Sequence, residues 1–296
     1  MDGQNTSRGK GKLRSALAGL SLCAAAGGGA AILPAPLAAQ SAPAVPREFP
    51  RDIRPYKIIL VGDSTTAVMS GWGSSFCAHH VSSFAACLNL ARGGRSSRTY
   101  MQERSWELAL NEARVPGYEK TWVLIQFGHN DQPGQGRSTE LTNEFPGYIR
   151  RYVEDARRAG AIPVLVTPLT RRIFKDGQLD RDLEPWAAAV RQVAQETGAA
   201  LVDLTAASGA AVQSMGEDAA DRLAQLPPGS EPVGQTPSAQ STEVNVQPTA
   251  VAKLSFDRTH LGTEGANYFS AMMARLLAEQ VPEMRGVLVV TPTPDQ

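Results

Sequence analysis

The sequence has no excess of charge of either sign. Its 29 Lys and Arg residues balance 29 Asp and Glu residues over 296 positions. Such a chain has no general electrostatic attraction for nucleic acids or anionic membranes, so a charged partner must be recognised locally. With 42% hydrophobic and 20% charged residues, the composition is that of an ordinary globular protein. The length fits one large domain or two small ones.

A long uninterrupted hydrophobic run is also missing. The apolar stretch at 16–37 is rich in alanine and is broken by Gly27–Gly29, Pro34 and Pro36, which disfavours a transmembrane anchor. Basic residues at 8–14 precede it and small residues follow it, a pattern typical of a cleaved secretory signal. We therefore expect a signal peptide at 1–39, a linker at 40–52, and export to the periplasm or the medium, with no membrane association after cleavage.

Cysteine is scarce, with three residues in the whole chain. Removal of the signal would leave Cys77 and Cys87, and an even pair in an oxidising compartment points to a disulfide. Two buried free thiols fit equally well, because sequence spacing gives neither the Cα distance nor the side-chain direction. A catalytic cysteine is disfavoured, since the residues around both are mostly apolar or small.

From residue 53 onward, short apolar segments alternate with helical patterns. The predicted strands are 57–61, 87–91, 122–127, 162–167 and 200–204. The predicted helices are 74–84, 106–113, 148–159, 185–197 and 264–280. This alternation predicts a doubly wound α/β fold with a five-stranded parallel sheet in flavodoxin-like order.

One domain over 53–285 accommodates all of these elements. Residues 209–252 are rich in Pro, Gly, Ser, Gln and Thr and show no sustained period, so we expect a long mobile insert there. Residues 286–296 are expected to form a disordered tail.

The first strand is followed by Gly62 and then by two polar residues, Asp63 and Ser64. Ligands of open α/β sheets bind at the carboxyl edge of the strands, so Ser64 is a candidate nucleophile or phosphate ligand. Acyl transfer also needs an imidazole that accepts the serine proton and a carboxylate that orients the imidazole. His260 and Asp257 supply these two groups, and their spacing of three residues allows one turn to present both.

Acyl transfer further requires donors aimed at the developing oxyanion. The backbone N–H groups of Ser64 and Gly94 and the side-chain amide of Asn130 are the candidates. The chain order Ser, Asp, His matches that of α/β-hydrolases, although the Gly-x-Ser-x-Gly elbow of those enzymes is absent.

Four short motifs resemble, in their order, the signature blocks of the SGNH, or GDSL, hydrolases: Gly62-Asp63-Ser64, Gly94, Gly128-x-Asn130 and Asp257-x-x-His260. The longer segments that begin at Gly62, Gly94, Gln126 and Val166 are similar to those of rhamnogalacturonan acetylesterases. The resemblance spans about 56–282. It implies a flavodoxin-like three-layer α/β/α fold and a serine esterase that needs no metal or cofactor, with the site residues in the roles given above. The insert before Asp257 departs from the family pattern.

The expected function is removal of O-acetyl groups from a plant cell-wall polysaccharide, most simply pectic rhamnogalacturonan. Its galacturonate carboxylates would suit arginine side chains. The residues at the sheet edge that are candidates for substrate binding are Arg95, Arg98, His129, Arg171 and Arg172. For the arginines, the alternative is that they are solvated or hold loops to the sheet; for His129, that it packs behind the site.

Two alternative functions remain at this stage. One is an SGNH esterase that acts on acetylated xylan, a lipid or a thioester. The other is a flavodoxin-like protein in which Ser64, Thr65 and Thr66 hold the phosphate of FMN. The second alternative leaves Asp257, His260 and Asn130 without a role.

Overall fold

The structure is a computed structural model that describes residues 53–134, 136–230 and 256–290. The predicted signal peptide and linker, residues 231–252 of the predicted insert and the end of the predicted tail lie outside the described residues.

The β-strands of the described residues are β1 (Tyr56–Gly62), β2 (Ala85–Asn89), β3 (Thr121–Gln126), β4 (Ile162–Val166), β5 (Phe174–Lys175), β6 (Gln178–Leu179) and β7 (Ala200–Val202). Five of them pair in parallel in the order β2-β1-β3-β4-β7. The remaining two, β5 and β6, form a small antiparallel hairpin. The five-stranded order confirms the predicted flavodoxin-like sheet.

The α-helices of the described residues are α1 (Gly73–His79), α2 (Ser97–Gln102), α3 (Ser105–Arg114), α4 (Glu144–Arg158), α5 (Glu184–Thr197), α6 (Leu204–Met215), α7 (Glu217–Asp221) and α8 (Thr263–Gln280), followed by a 3₁₀ helix at Pro282–Val287. They cover both faces of the sheet. Phe76 of α1 and Phe269 of α8 pack on one face, and Trp106 of α3 and Tyr152 of α4 pack on the other. The protein therefore has the three-layer α/β/α architecture that the sequence predicts.

Strand β1 shows why the apolar runs form a sheet covered on both sides. Ile58 and Leu60 point into the core beneath α1 and α8, whereas Ile59 and Val61 point into the core beneath α3 and α4. Because side chains alternate between the faces, a strand buried on both faces needs apolar residues at every position. The short apolar run followed by Gly62 is the sequence pattern of such a strand.

A disulfide connects Cys77 of α1 to Cys87 of β2, with their Cα atoms 5.5 Å apart. Of the two arrangements open to these residues, the structure has the bridge. It ties the edge strand of the sheet to the first helix.

The expected insert at 209–252 is wrong for its first part. Helix α6 continues to Met215 and α7 follows directly. Asp203 caps α6 by accepting a hydrogen bond from the N–H of Ala206 at 3.3 Å. Ser208 is completely buried, and its hydroxyl donates a hydrogen bond to the carbonyl of Leu204 at 2.6 Å. The segment is helical because its four alanines favour a helix and the burial and hydrogen bond of Ser208 offset the weaker propensity of its Gly, Ser and Thr residues.

The expected disordered tail at 286–296 is wrong for residues 286–290. Val287 is buried and Leu288 forms a β-bridge with Val81. The N–H of Val289 donates to the carbonyl of His80 at 2.9 Å. These contacts fasten the end of the described chain to the loop between α1 and β2.

No helix within residues 53–134, 136–230 or 256–290 combines the length and apolar character that crossing a bilayer requires.

Candidate active site

The turn after β1 places Ser64 at the carboxyl edge of the sheet. Gly62 is required there, because a Cβ atom would lie 2.7 Å from the carbonyl oxygen of Gln126. The buried carboxylate of Asp63 accepts bonds from the N–H and the hydroxyl of Thr65, both at 2.8 Å. Ser70 donates its hydroxyl to the carbonyl of Ser64 at 2.8 Å. The turn is therefore held from both sides of the serine.

Ser64, His260 and Asp257 form one connected line. Ser64 Oγ lies 2.9 Å from His260 Nε2. On the other side of the ring, His260 Nδ1 lies 3.0 Å from Asp257 Oδ2. The imidazole thus contacts a hydroxyl through one nitrogen and a carboxylate through the other, which is the arrangement that proton transfer from a serine requires.

The Asp257 carboxylate is also fixed by its own backbone. Its Oδ1 accepts the N–H groups of Thr259 and His260, both at 2.8 Å. Burial alone would raise the pKa of Asp257. Hydrogen bonds from His260, the charge of His260 and the bond from the N–H of Thr259 outweigh burial, so the pKa lies well below its ordinary value. Asp257 is therefore ionised at neutral pH and holds a proton on Nδ1 of His260.

Arg172 supports this segment from beneath and does not reach solvent. It is 0% exposed and donates to the carbonyl of His260 at 2.8 Å. Weaker bonds reach the carbonyls of Thr259 at 3.5 Å and Asp257 at 3.4 Å. The expectation that Arg172 binds substrate is thus wrong, because its fork is enclosed by backbone oxygens of the Asp257–His260 segment.

Two backbone N–H groups and one side chain remain the candidate oxyanion donors. Gly94 has a φ of 80°, a left-handed conformation that favours glycine. Within the described part of the chain, the N–H groups of Ser64 and Gly94 donate to no acceptor. Asn130 Nδ2 donates to the carbonyl of Arg95 at 3.0 Å, which orients the amide and leaves its second hydrogen available.

Three other arginines of the sheet edge hold protein groups. Arg95 is largely buried and donates to Glu103 and to the carbonyl of Gly93, both at 2.8 Å. Arg98 donates to the carbonyl of Gly136 at 2.8 Å. Arg171 pairs with Asp182. These contacts correspond to the alternative considered above, in which the arginines anchor loops.

His129 lies behind the nucleophile turn. Its side chain is 3% exposed, and Nδ1 is 3.5 Å from Asp63 Oδ2. The expectation that His129 binds substrate is therefore wrong, since it faces the interior. Burial raises the pKa of Asp63, but His129 and the bonds from Thr65 outweigh it and lower the pKa overall.

Gln126 is a site residue that the sequence reasoning missed. Its Nε2 donates to Thr65 Oγ1 at 2.9 Å, and its Oε1 accepts from Trp72 Nε1 at 2.9 Å. The amide thus joins the end of β3 to the nucleophile turn. The available signal was a lone polar residue closing an otherwise apolar strand, since such a residue must find buried partners.

The turn is poorly suited to a phosphate. The N–H and hydroxyl of Thr65 are used by Asp63, whose buried carboxylate would repel an anion. The Ser64 hydroxyl contacts His260. These contacts disfavour the FMN alternative. Among the described residues, no group of three or more His, Cys, Asp or Glu side chains is placed to hold a metal ion.

The chain matches the model of the GDSL-like Lipase/Acylhydrolase family over residues 60–230. It belongs to this family. The protein is accordingly a carboxylic ester hydrolase, which confirms the enzyme class that the motifs predict. The matched stretch contains Ser64, Gly94 and Asn130 and ends before Asp257 and His260.

Two similar proteins indicate a branch within this family. The chain is 32% identical over 169 residues to the probable rhamnogalacturonan acetylesterase YesY of Bacillus subtilis (54% of this chain, 76% of YesY). It is 32% identical over 178 residues to the rhamnogalacturonan acetylesterase RhgT of the same organism (57% of this chain, 74% of RhgT). These matches confirm the predicted resemblance to the rhamnogalacturonan acetylesterase branch of the SGNH hydrolases.

The fold also matches a crystal structure of the Bacillus subtilis protein YXIM. The TM-score is 0.56 at 21% identity, with 78% of this chain covered. This chain spans 57% of the length of that protein. At this identity the match supports the fold alone.

Proposed function

We propose that this protein is a serine esterase that removes O-acetyl groups from a plant cell-wall polysaccharide, with acetylated rhamnogalacturonan as its substrate. The observation that carries the chemistry is the line from Ser64 Oγ through His260 to Asp257, with contacts of 2.9 and 3.0 Å. The substrate is supported by YesY and RhgT, two relatives whose names give them this activity.

Acylation begins when Ser64 Oγ attacks the acetyl carbonyl carbon. His260 Nε2 accepts the serine proton, and Asp257 stabilises the imidazolium through Nδ1. The N–H groups of Ser64 and Gly94 and the amide of Asn130 donate to the oxyanion of the tetrahedral intermediate. The intermediate then expels the sugar oxygen, which takes the proton from His260.

Deacylation repeats these steps with water. His260 accepts a proton from a water molecule that attacks the acetyl-Ser64 carbonyl, and the same donors hold the second oxyanion. Collapse of this intermediate returns the proton to Ser64 Oγ and releases acetate. Asp257 stays ionised throughout, in keeping with its lowered pKa.

A substrate panel tests the proposal. Purified enzyme is given acetylated rhamnogalacturonan, acetylated xylan, a short-chain triglyceride and an acetyl thioester, and acid release is measured for each. We expect the highest kcat/KM on acetylated rhamnogalacturonan. A higher value on acetylated xylan, the lipid or the thioester would overturn the proposed substrate and leave the esterase chemistry intact.

A further inference from the structure

The loop that follows Asn130 is closed at its base by Asp131. Asp131 Oδ1 accepts the hydroxyls of Ser97 at 2.6 Å and of Thr139 at 2.9 Å, and its carbonyl accepts the N–H of Thr139 at 3.0 Å. Within the loop, Ser138 Oγ donates to the carbonyl of Gln132 at 2.6 Å. These bonds hold residues 131–134 and 136–139 as a fixed projection beside the oxyanion residue Asn130.

Arg137 lies on this projection and has no partner among the residues that the structure describes. Its Nε is shielded from solvent yet donates to no acceptor. Within the described chain, no carboxylate pairs with its guanidinium, and no oxygen accepts a bond from it. Arg95, Arg98, Arg171 and Arg172 all donate to protein oxygens. Arg137 is therefore the arginine of this sheet edge whose hydrogen-bonding fork is left open.

Arg137 lies beside the segment that follows Gly94, because the carbonyl of its neighbour Gly136 accepts a bond from Arg98 Nη2 at 2.8 Å. The pKa of the Arg137 guanidinium is lowered, chiefly by burial. The negative charge of Asp63 raises this pKa, and the positive charge of Arg95 lowers it. Asp63, the immediate neighbour of Ser64, is completely buried and directs its hydrogen-bonded oxygen to Thr65. The charge of Asp63 thus favours the protonated guanidinium, but Asp63 does not occupy its N–H groups.

The enclosed Nε of Arg137 has lost its hydration without gaining a partner, which is unfavourable for the folded protein and would be offset by a ligand that accepts its hydrogen. Its five N–H donors match the two oxygens of a carboxylate. A glycan with uronate residues supplies such a carboxylate at a fixed distance from its acetylated sugars, whereas acetylated xylan backbones, lipids and aryl esters do not.

We propose that Arg137 is a specificity residue that binds a uronate carboxylate of the substrate next to the sugar that carries the acetyl ester. This inference rests on the proposed function and replaces the earlier arginine candidates, which are engaged with the protein. Arg137 makes no contact with the reacting atoms. It fixes the register in which an anionic glycan presents its ester to Ser64.

Steady-state kinetics of R137A and R137K test this assignment. In R137A, KM for acetylated rhamnogalacturonan rises by roughly 10-fold or more, while kcat/KM for 4-nitrophenyl acetate changes by less than about 2-fold. R137K keeps the charge without the planar fork and gives an intermediate loss. The matched control is R151A, which removes an exposed arginine from α4. Equal losses of R137A on both substrates, or no loss on either, would overturn the inference.

A competition experiment separates this inference from the proposed function. Deacetylated galacturonate oligosaccharides inhibit hydrolysis of 4-nitrophenyl acetate, and R137A raises their inhibition constant by roughly 10-fold. Neutral xylo-oligosaccharides serve as the reference. If the wild-type enzyme releases no acetate from rhamnogalacturonan, the proposed function fails, and this shift still supports a uronate site at Arg137. An inhibition constant that is equal in wild type and R137A would contradict the site itself.

Discussion

Arg172 shows how far the role of one residue depends on where its side chain ends. From sequence, two consecutive arginines after β4 predict a positive surface for an anionic substrate. In the structure Arg171 pairs with Asp182, whereas Arg172 is enclosed beneath the Asp257–His260 segment. Burial lowers the pKa of Arg172 to about 10, with Asp257 and Asp221 opposing this effect. Arg172 therefore remains charged at neutral pH and acts as a positioning residue.

We predict that R172M impairs catalysis on every ester to the same degree. The variant removes the side chain that donates to the carbonyls of Asp257, Thr259 and His260, so the backbone that positions the imidazole and the carboxylate is held less firmly. We expect kcat to fall by roughly 10-fold or more with little change in KM. The measurement is kinetics on 4-nitrophenyl acetate and on acetylated rhamnogalacturonan, with circular dichroism to verify folding. A rise in KM confined to the polysaccharide would instead mean that Arg172 reaches the substrate.

The residues of the candidate site could be read from sequence, but their surroundings could not. Ser64, Asp257 and His260 were found because the chemistry requires those residue types and because the motifs fix their order. The roles of Arg95, His129 and the other basic residues needed burial and partners, which spacing along the chain does not encode. The open Arg137 was missed for the same reason.

At the scale of elements, the sheet strands and longer helices were predictable because burial imposes a period on the sequence. Strand β3 lies within one residue of its predicted bounds, since every position from Thr121 to Gln126 is buried. Helix α6 was missed in full, because no helix was predicted between the strand at 200–204 and the insert at 209–252. Its Gly and Ser residues lower the helix propensity that its alanines supply, and buried contacts such as that of Thr170 N–H with Ser208 Oγ at 3.1 Å stabilise it.

The disulfide between α1 and β2 gives a prediction at this scale. Non-reducing peptide mapping of enzyme prepared in an oxidising compartment should recover Cys77 and Cys87 in one linked peptide pair. The double variant C77S/C87S should lose about 2–3 kcal/mol of unfolding free energy, because the bridge restricts a short loop of the unfolded chain. Two alkylated thiols in the wild type, together with unchanged stability of the variant, would refute the bridge.

At the scale of the whole molecule, a buried carboxyl group couples stability to pH. Burial raises the pKa of Asp131 to about 6, although bonds from Ser97 and Thr139 act in the opposite direction. In the unfolded chain the value returns to about 3.9. The folded state therefore binds more protons than the unfolded state between these values, and its stability falls as the pH rises through this window.

D131N should remove this dependence, because the amide oxygen can still accept from Ser97 and Thr139 but does not titrate. The wild type should lose up to about 3 kcal/mol of unfolding free energy between about pH 4 and pH 6, beyond any change seen in D131N. Urea unfolding at several pH values measures both proteins. Parallel pH profiles would show that Asp131 keeps an ordinary pKa in the folded state.

The fold as a whole brings two distant segments of the chain to one place, and the central claim is that they act together through Ser64. S64A deletes only Oγ and leaves the bonds of Asp63, Thr65 and Gln126 intact, so the variant should unfold at the same temperature as the wild type. The decisive measurement is hydrolysis of 4-nitrophenyl acetate by S64A and wild type under identical conditions. We expect kcat/KM of S64A to be lower by about 10⁴-fold or more. A folded S64A whose activity stays within about 10-fold of the wild type would contradict the serine esterase mechanism.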